Sequence, residues 1–549
     1  MTQSKTKVNR RSWMDYVGHW LMLCVCAALF WAVSLTAAIA EAEPAGKATT
    51  EAAATQKMKD ARHKAAWKPR AILFNNDGND ARRMDEPTRE NFLRTRAVPM
   101  AKTKTATLCY CTGIWGVFTH PCADAQLRTS RDRSAKEWAT NLAKDGGPDT
   151  LGTMVEFSHR HGIEVFWSLR MNDTHDAADG SMLSQWKQAH RDLLVGKRGT
   201  RYPFGANRWS AADYAHKEVR DRVVTWCDDV LKRYDVDGLE LDFFRHAIFF
   251  KPQLHGKKVT QEQCDQMTSL IRRLRESADR QGARRGRPVL IAIRVPDSAG
   301  FCKAIGLDVD RWMEEGLIDM LIVSGYFRLN EWKTSVEWGH RHGVPVFASL
   351  DEPRLRRQPE LQKIRESIGV YRARALDAWR AGVDGIYLFN YFGVSRDLQA
   401  CKEVGDPEAL MKMDKLYATG SREVRSAGSY LKGAKKYLHR RPMLPELPEK
   451  LSADRPAKVT LVVHDRVEEN GGKATLRLYL SESISPELLI VAVNGHVLST
   501  GRQDGRWIEL PVEPSWIKTG TNEFDVSLKK GAKTKRLQLC DLLLGIRYK

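Results

Sequence analysis

Apolar and polar positions alternate in two rhythms along this chain, and the change of rhythm divides it. Between residues 71 and 390, short apolar, β-branched runs at 71–75, 107–111, 164–169, 238–243, 289–295, 320–324, 344–349 and 385–390 are separated by longer stretches. Each run is nearly continuous in apolar residues, as expected of strands buried on both faces of a parallel sheet. The stretches 149–161, 217–234, 260–281, 307–315, 332–342 and 364–381 carry apolar residues every three or four positions, the period of amphipathic helices. Gly162, Gly316, Gly343 and Gly382 stand where such helices must stop. Eight βα units in succession predict an α/β chain folded as a (β/α)8 TIM barrel over residues 69–405. The competing doubly wound open sheet needs a glycine-rich phosphate turn after its first strand. Here that place holds Asn75-Asn76-Asp77-Gly78-Asn79-Asp80, which is acidic and amidic.

Past residue 406 the helical period blurs into a basic stretch reaching about Arg441, and Pro442, Pro445 and Pro448 follow. Residues 406–455 therefore read as a helical extension and a Pro-rich linker. From 456 to 549 the period becomes two, with runs at 459–463, 474–480, 489–493, 507–510 and 523–528. Turns are marked by Asn494-Gly495, Asp504-Gly505 and Lys530-Gly531. This predicts a small C-terminal antiparallel β-sandwich of jelly-roll type.

The N-terminus follows neither rhythm. Lys5, Lys7, Arg10 and Arg11 precede an apolar run from Trp20 to Leu35, and Ala38-Ile39-Ala40 follows. That order is the one a secretory signal peptide takes, with cleavage near Ala40 and a secreted or periplasmic mature protein. The alternative is an uncleaved anchor, for which the run is slightly short of the ~20 residues a bilayer asks for. Membrane contact is expected only in that case. Residues 41–68, rich in Ala, Lys, Glu and Thr, read as a flexible tether.

Composition narrows the function classes. Hydrophobic residues make up 42% of the chain, which excludes a disordered protein. The net charge of +20 invites anionic partners, but its basic clusters lie in helical stretches and read mainly as solvated faces. A nucleic-acid partner is not expected, because that would call for a basic stripe with interleaved aromatics. Cys109, Cys111 and Cys122 match no zinc or iron–sulfur spacing, and His175 and His246 fall in no metal-binding motif. Neither a metal nor a cofactor is expected.

In such a barrel the chemistry belongs to the carboxyl ends of the strands. Those ends carry, in order, Asn75, Asn76, Asp77 and Asp80; Tyr110, Thr112 and Trp115; Arg170, Asn172, Asp173 and His175. They continue with Glu240, Asp242, Arg245 and His246; Arg294 and Asp297; Ser324, Tyr326 and Arg328; Asp351, Glu352 and Arg354; Asn390 and Tyr391. Carboxylates, guanidinium groups, amides and aromatic rings together suit a sugar, whose faces stack and whose hydroxyls accept and donate. The sharpest segment is Asp237-Gly238-Leu239-Glu240-Leu241-Asp242-Phe243-Phe244-Arg245-His246. Strand side chains alternate, so Glu240 and Asp242 share a face, with Asp242 nearer the rim. A carboxylate inside an apolar run must be paired, hydrogen-bonded or functional. For either acid the structural alternative is a salt bridge to Arg294 or Arg170.

The segment DGLELDFFRH resembles the fourth-strand motif of the α-amylase clan, and more closely that of glycosyl-hydrolase-like barrel families of bacterial proteins. The resemblance spans roughly residues 70–400. It implies hydrolysis at a glycosidic bond with Asp242 as nucleophile or base. Gly238, Asp242, Arg245 and His246 sit at the clan's positions, whereas Glu240 stands where the clan has an arginine. The series VAVNGHVL and RWIELPVEPSWIKTGTNEFDV resembles jelly-roll modules attached to glycosidases. Glycoside hydrolysis needs a second carboxyl group within about 5 to 9.5 Å. The α-amylase resemblance suggests Asp297 after the fifth strand, where that clan has its acid, or Asp351 after the seventh, with Glu352 able to replace either. A sixth-strand acid of the α-galactosidase kind is absent from Val323-Ser324-Gly325-Tyr326-Phe327-Arg328. Arg294 is expected to clamp substrate or Asp242. Glu240, Asp77, Arg170, Asn172, His246 and Asn390 are expected to read hydroxyls, while Tyr326, Trp115 and Trp167 are stacking candidates. The expected function is a glycosidase acting on an extracellular polysaccharide or oligosaccharide, anionic ones included. The alternative is a carbohydrate-binding or scaffold protein on a barrel that has lost catalysis.

Overall fold

The computed structural model describes residues 56–80, 86, 88–128, 149–178, 182–351, 359–389, 391, 398–419, 423–439, 448–499, 501–532, 534 and 536–548. The signal and the first part of the tether, Glu352 and Asn390 lie outside these residues, as does the side chain of Asp351. The N-terminal unit ends at Ala61, and its described residues, 56–61, are helical. The helical state continues through residue 66, where a tether is expected. Arg62 explains this order in the main unit. It is buried and sits 3.6 Å from Asp279 and 3.8 Å from Asp319. A buried cation needs such partners.

Eight strands close a barrel: β1 (Ile72–Asn76), β2 (Thr105–Cys111), β3 (Glu164–Arg170), β4 (Gly238–Asp242), β5 (Leu290–Val295), β6 (Met320–Val323), β7 (Val346–Asp351) and β8 (Gly385–Phe389). Each pairs in parallel with its sequence neighbours, and β8 pairs with β1. Helices α1 (Thr150–Arg160), α2 (Lys217–Arg233), α3 (Gln261–Arg285), α4 (Val309–Glu314), α5 (Trp332–His340), α6 (Pro359–Arg365) and α7 (Ile368–Arg380) fall between strands. The single helix expected over 364–381 is divided into α6 and α7 at Glu366-Ser367, where Ser367 takes an extended backbone. Asp149 caps α1 by accepting from Leu151 N and Gly152 N. Thr260 and Gln263 form a reciprocal capping box at the start of α3. Gly162, Gly316, Gly343 and Gly382 all have positive φ, as helix stops require.

The alternation of β-strand side chains separates two cores. Leu73, Cys109, Phe166, Ala292, Ile322, Phe347, Tyr387 and Phe389 cluster within the barrel. The opposite faces of the strands pack against the helices in the larger cluster, with Leu241, Ile293, Leu321 and Leu388 among its members. Glu240 and Asp242 alternate with Leu239 and Leu241, so they share the inward face.

The sandwich is present and begins earlier than the sequence pattern suggests. One sheet orders Lys415–Ala418, Gln538–Arg547, Lys473–Leu480, Trp507–Val512 and Arg502–Asp504, with Glu449–Lys450 paired beside it. The other orders Ala457–Val463, Gly520–Leu528, Leu489–Val493 and His496–Val497. Lys415–Ala418 lies inside the stretch expected to be helical extension and linker, and pairs antiparallel with the last strand. Buried polar groups fasten this module to the barrel. Arg365 of α6 meets Asp541 at 2.5 Å, and Trp507 Nε1 and the Tyr479 hydroxyl both donate to Glu360.

Candidate active site

The register across β3, β4 and β5 dictates the centre of the barrel mouth. Asp242 is aligned with Arg170 on one side and Arg294 on the other, and Glu240 with Ser168 and Ala292. Arg294 Nη2 donates to Asp242 Oδ2 at 2.9 Å, with both side chains essentially solvent-free (0% and 1% exposed). The other carboxylate oxygen, Oδ1, accepts from Phe244 N and Arg245 N, both at 2.9 Å. The chain turns sharply after β4 and points its own amide groups back at the last strand residue, an Asx-type turn. One guanidinium and two amides thus fix the orientation of the carboxylate. Arg294 is itself wedged between rings, 3.7 Å from the Phe389 centroid and 5.6 Å from that of Phe244.

Arg170, the other strand neighbour, pairs with Asp173 at 2.9 Å. Asp173 is the hub of the wall after β3. It accepts from His175 Nδ1 at 2.5 Å and from His175 N at 3.0 Å, and Arg245 Nε stands 3.7 Å away. Burial pushes its carboxyl up, but the His175 hydrogen bond and the facing Arg170 and Arg245 hold it well below the usual range. His246 Nδ1 accepts from Thr174 N at 2.9 Å. The proton of its neutral ring must therefore sit on Nε2. Burial pushes this imidazole well below its ordinary value, which keeps it neutral. Arg245 donates to the Tyr326 hydroxyl and lies 2.9 Å from His175 Nε2. Tyr326, half-buried, stands edge-on to Phe389 at the mouth.

Beneath Asp242, Glu240 accepts from the Tyr387 hydroxyl at 2.6 Å. Burial and the neighbouring Asp242 raise its carboxyl above the ordinary value, and Ser168, Tyr387 and Arg294 only partly oppose this. Asp77 flanks the site on the β1 side. Burial raises it, yet Arg96, in contact at 2.5 Å, and Arg170 bring it below the usual range.

Several residues expected to contact substrate take other places. Asp297 accepts Leu329 N on both oxygens, at 2.9 and 3.0 Å, and Asn330 N at 2.9 Å. It is buried and pins the loop after β6; burial pushes it up to about 6 despite those donors. Asn172 donates to Ala212 O and Ile248 O and accepts from Ala212 N, so its amide braces backbone instead of presenting itself to a sugar. Trp115 is buried against Trp186 and Trp226, and Trp167 is buried with Nε1 on Thr112. Both rings belong to the core. An indole holds too much apolar surface to stay at a mouth that other elements can cover. Arg170, Arg294, Asp242 and Glu240 do converge, and Tyr326, His246 and Asp77 border them.

Asp173, His175 and Arg245 stand in the strand-end inventory without a role, and the structure makes them the framework of the site. Their signal is the spacing Arg170-x-x-Asp173 and the position of Arg245 three residues after Asp242. Tyr387 could have been found from alternation, since it lies two residues before Phe389 on the inward face of β8. Gly325 has φ +149, and a Cβ there would stand 2.5 Å from Arg294 Nη1. No sequence pattern points to that contact.

Residues 127–270 match the family model of glycosyl hydrolase-like 10. That stretch holds β3 and β4, and with them Asp173, Glu240, Asp242 and Arg245. The chain thus resembles the glycosyl-hydrolase-like barrel families. Among solved structures it is similar to the PgaB (BpsB) glycoside hydrolase domain from Bordetella bronchiseptica, at 11% identity and TM-score 0.39, covering 62% of this chain and 99% of that one. It is also similar to a family 18 N-acetylglucosaminidase from Paenibacillus barengoltzii, at 13% identity and TM-score 0.32, covering 62% and 98%. A third is α-L-fucosidase isoenzyme 2 from Paenibacillus thiaminolyticus, at 12% identity and TM-score 0.38, covering 62% and 49%. No curated protein matches the chain.

Proposed function

We propose that the protein is a glycoside hydrolase acting on an extracellular polysaccharide or oligosaccharide, with Asp242 as its nucleophile or base. The observation that carries this is the setting of Asp242 at the carboxyl end of β4. One guanidinium and two backbone amides orient it. Oδ1 accepts two of these hydrogen bonds and Oδ2 only one, so Oδ2 retains a lone-pair direction for an anomeric carbon or a water. Half-buried Tyr326 offers an aromatic ring, and His246, with its proton on Nε2, is a neutral donor for a hydroxyl. With Asp297 engaged by the backbone, Asp351 or Glu352 after β7 is the carboxyl acid this reading requires, on the strength of their positions in the sequence. The N-terminal segment would export the enzyme to the envelope or beyond. Mass spectrometry of the mature N-terminus checks that, with a start at Glu41 as the expected result.

The test is Asp242→Asn against wild type on a panel of neutral and anionic glycans, with thermal unfolding of both to establish folding. Turnover should fall at least about 100-fold, the lower range for removing a group that assists in the transition state. Undiminished turnover sinks the assignment. A second reading, a carbohydrate-binding barrel without catalysis, draws on the fact that Asp242 and Asp297 are both engaged inside the protein. It expects glycan binding that Asp242→Asn leaves in place, and no new reducing ends from the wild type.

A further inference from the structure

The interior of the barrel holds an uneven set of charges. Glu240 and Asp242 project inward from the same strand, two residues apart, and Arg294 of β5 is the cation that joins them. All three are solvent-free. The other titratable groups facing Glu240 are the thiol of Cys109 on β2 and the phenol of Tyr387 on β8. Burial raises both well above their ordinary values, so both are neutral. Arg170 of β3 is matched by its own partner, Asp173. Two acids therefore share one available cation, and its hydrogen bond goes to Asp242.

The oxygens of Glu240 tell the same story. Oε1 accepts from the Tyr387 hydroxyl, while Oε2 has no hydrogen-bond partner among the described residues. The Ser168 hydroxyl, aligned with Glu240 across β3 and β4, is near enough to favour the ionised acid but makes no well-formed hydrogen bond. One serine hydroxyl is little compensation for a buried anionic oxygen, and burial outweighs it, whereas a protonated Glu240 can itself donate to the serine oxygen. Arg294 compensates Glu240 only in part, because its hydrogen bond goes to the Asp242 carboxylate.

We propose that Glu240 is a neutral, proton-bearing acid at neutral pH, and a positioning residue that leaves Asp242 the single anion paired with Arg294. The cluster then has no net charge. An ionised Glu240 would repel Asp242 and compete for Arg294, loosening the orientation that the Asx turn and the guanidinium impose. The positioning role rests on the glycosidase reading, while the protonation state does not.

The sign of the pH effect follows from burial. The Glu240 carboxyl is raised above its ordinary value, so the folded chain keeps a proton that the unfolded chain has already lost. The stability this contributes is present below the ordinary glutamate range and is lost as pH rises through the folded value.

Wild type and Glu240→Gln, both full-length and without substrate, are compared by thermal unfolding from about pH 5 to about pH 9. The amide is a permanent stand-in for the protonated acid. The wild-type Tm should fall relative to the variant across this range, by about 1–3 °C. Infrared difference spectra should show a protonated-carboxyl C=O band near neutral pH that the variant lacks. Parallel Tm curves together with no such band overturn the proposal. Should Glu240→Gln fail to fold, Tyr387→Phe serves instead. It removes a donor that favours the ionised form, so the band should persist to higher pH, and an unchanged or absent band overturns the proposal. For the positioning role, Glu240→Gln should shift one limb of the kcat/KM–pH profile on any glycan that is turned over, and an unmoved profile refutes it. Undiminished turnover in Asp242→Asn would remove the glycosidase reading alone and leave the protonation result standing.

Discussion

Asp242 owes its orientation as much to what its neighbours lack as to what they carry. Gly325, at the end of β6, has no side chain where a Cβ would press on Arg294 Nη1, and its φ of +149 is one that residues with a Cβ rarely adopt. Ser324 beside it has φ 74, so two consecutive residues hold unusual backbone at the rim. Such strain persists where surrounding contacts over-determine it. Replacing Gly325 with Ala should cost about 1–3 kcal/mol through strain and displacement of the guanidinium. Turnover should fall more than stability, because Arg294 is the group that aims Asp242. Denaturant unfolding and glycan turnover on the same variant check this, and equal loss of both would argue against it.

The loops between elements build the rest of the site, and they do so with acids that look catalytic in the sequence. The segment between β3 and α2 is held by a buried ion pair, Lys187 to Asp176 at 2.8 Å, with the Ser210 hydroxyl on the same carboxylate. The loop after β6 is held by Asp297 in the same spirit. Asparagine at 297 would turn a donor toward a backbone N–H, so Asp297→Asn should cost about 1–3 kcal/mol. Since burial pushes Asp297 up to about 6, its contribution to stability is present in acid and is lost as pH rises through about 6. The variant should lack that slope in its Tm–pH curve. If Asp297 braces the loop rather than donating a proton, the variant's turnover should fall without losing a limb of the kcat/KM–pH profile. A lost limb would return Asp297 to the role of acid. Sequence position alone could not separate the two roles, because a strand-end aspartate that caps a loop looks the same as one that meets a sugar.

At the scale of the whole molecule, the sandwich holds a buried polar cluster of its own and meets the barrel through half-buried polar contacts. Lys415, on the strand that opens the sandwich sheet, is solvent-free and pairs with Asp465 at 3.0 Å. The hydroxyls of Tyr417 and Tyr548 donate to the same carboxylate. Asp377 of α7 takes His464 Nε2 at 3.1 Å and faces Arg328 from the loop after β6. The sandwich is thereby tied to an element of the active-site rim. Asp465→Ala would leave Lys415 buried without its counter-ion, at about 3–5 kcal/mol. Calorimetry should show a single transition in the wild type and a lower one in the variant. Two separate wild-type transitions would mean that the modules unfold independently.

The sequence by itself determined the eight strands, the closed barrel and Asp242 on β4, because a strand buried on both faces must read as an apolar run. In such a run a carboxylate stands out. It also determined the sandwich, through its period of two and its Asn-Gly and Asp-Gly turns. Tertiary structure alone decided which polar groups meet. Arg294 comes to Asp242, and Arg170 to Asp173, only through the register of β3, β4 and β5. Lys415–Ala418 becomes a strand because the final strand, more than a hundred residues later, lies beside it. Trp115 and Asn172 became core and brace for the same reason. Burial and hydrogen bonding depend on neighbours distant in sequence, and local pattern carries no record of them.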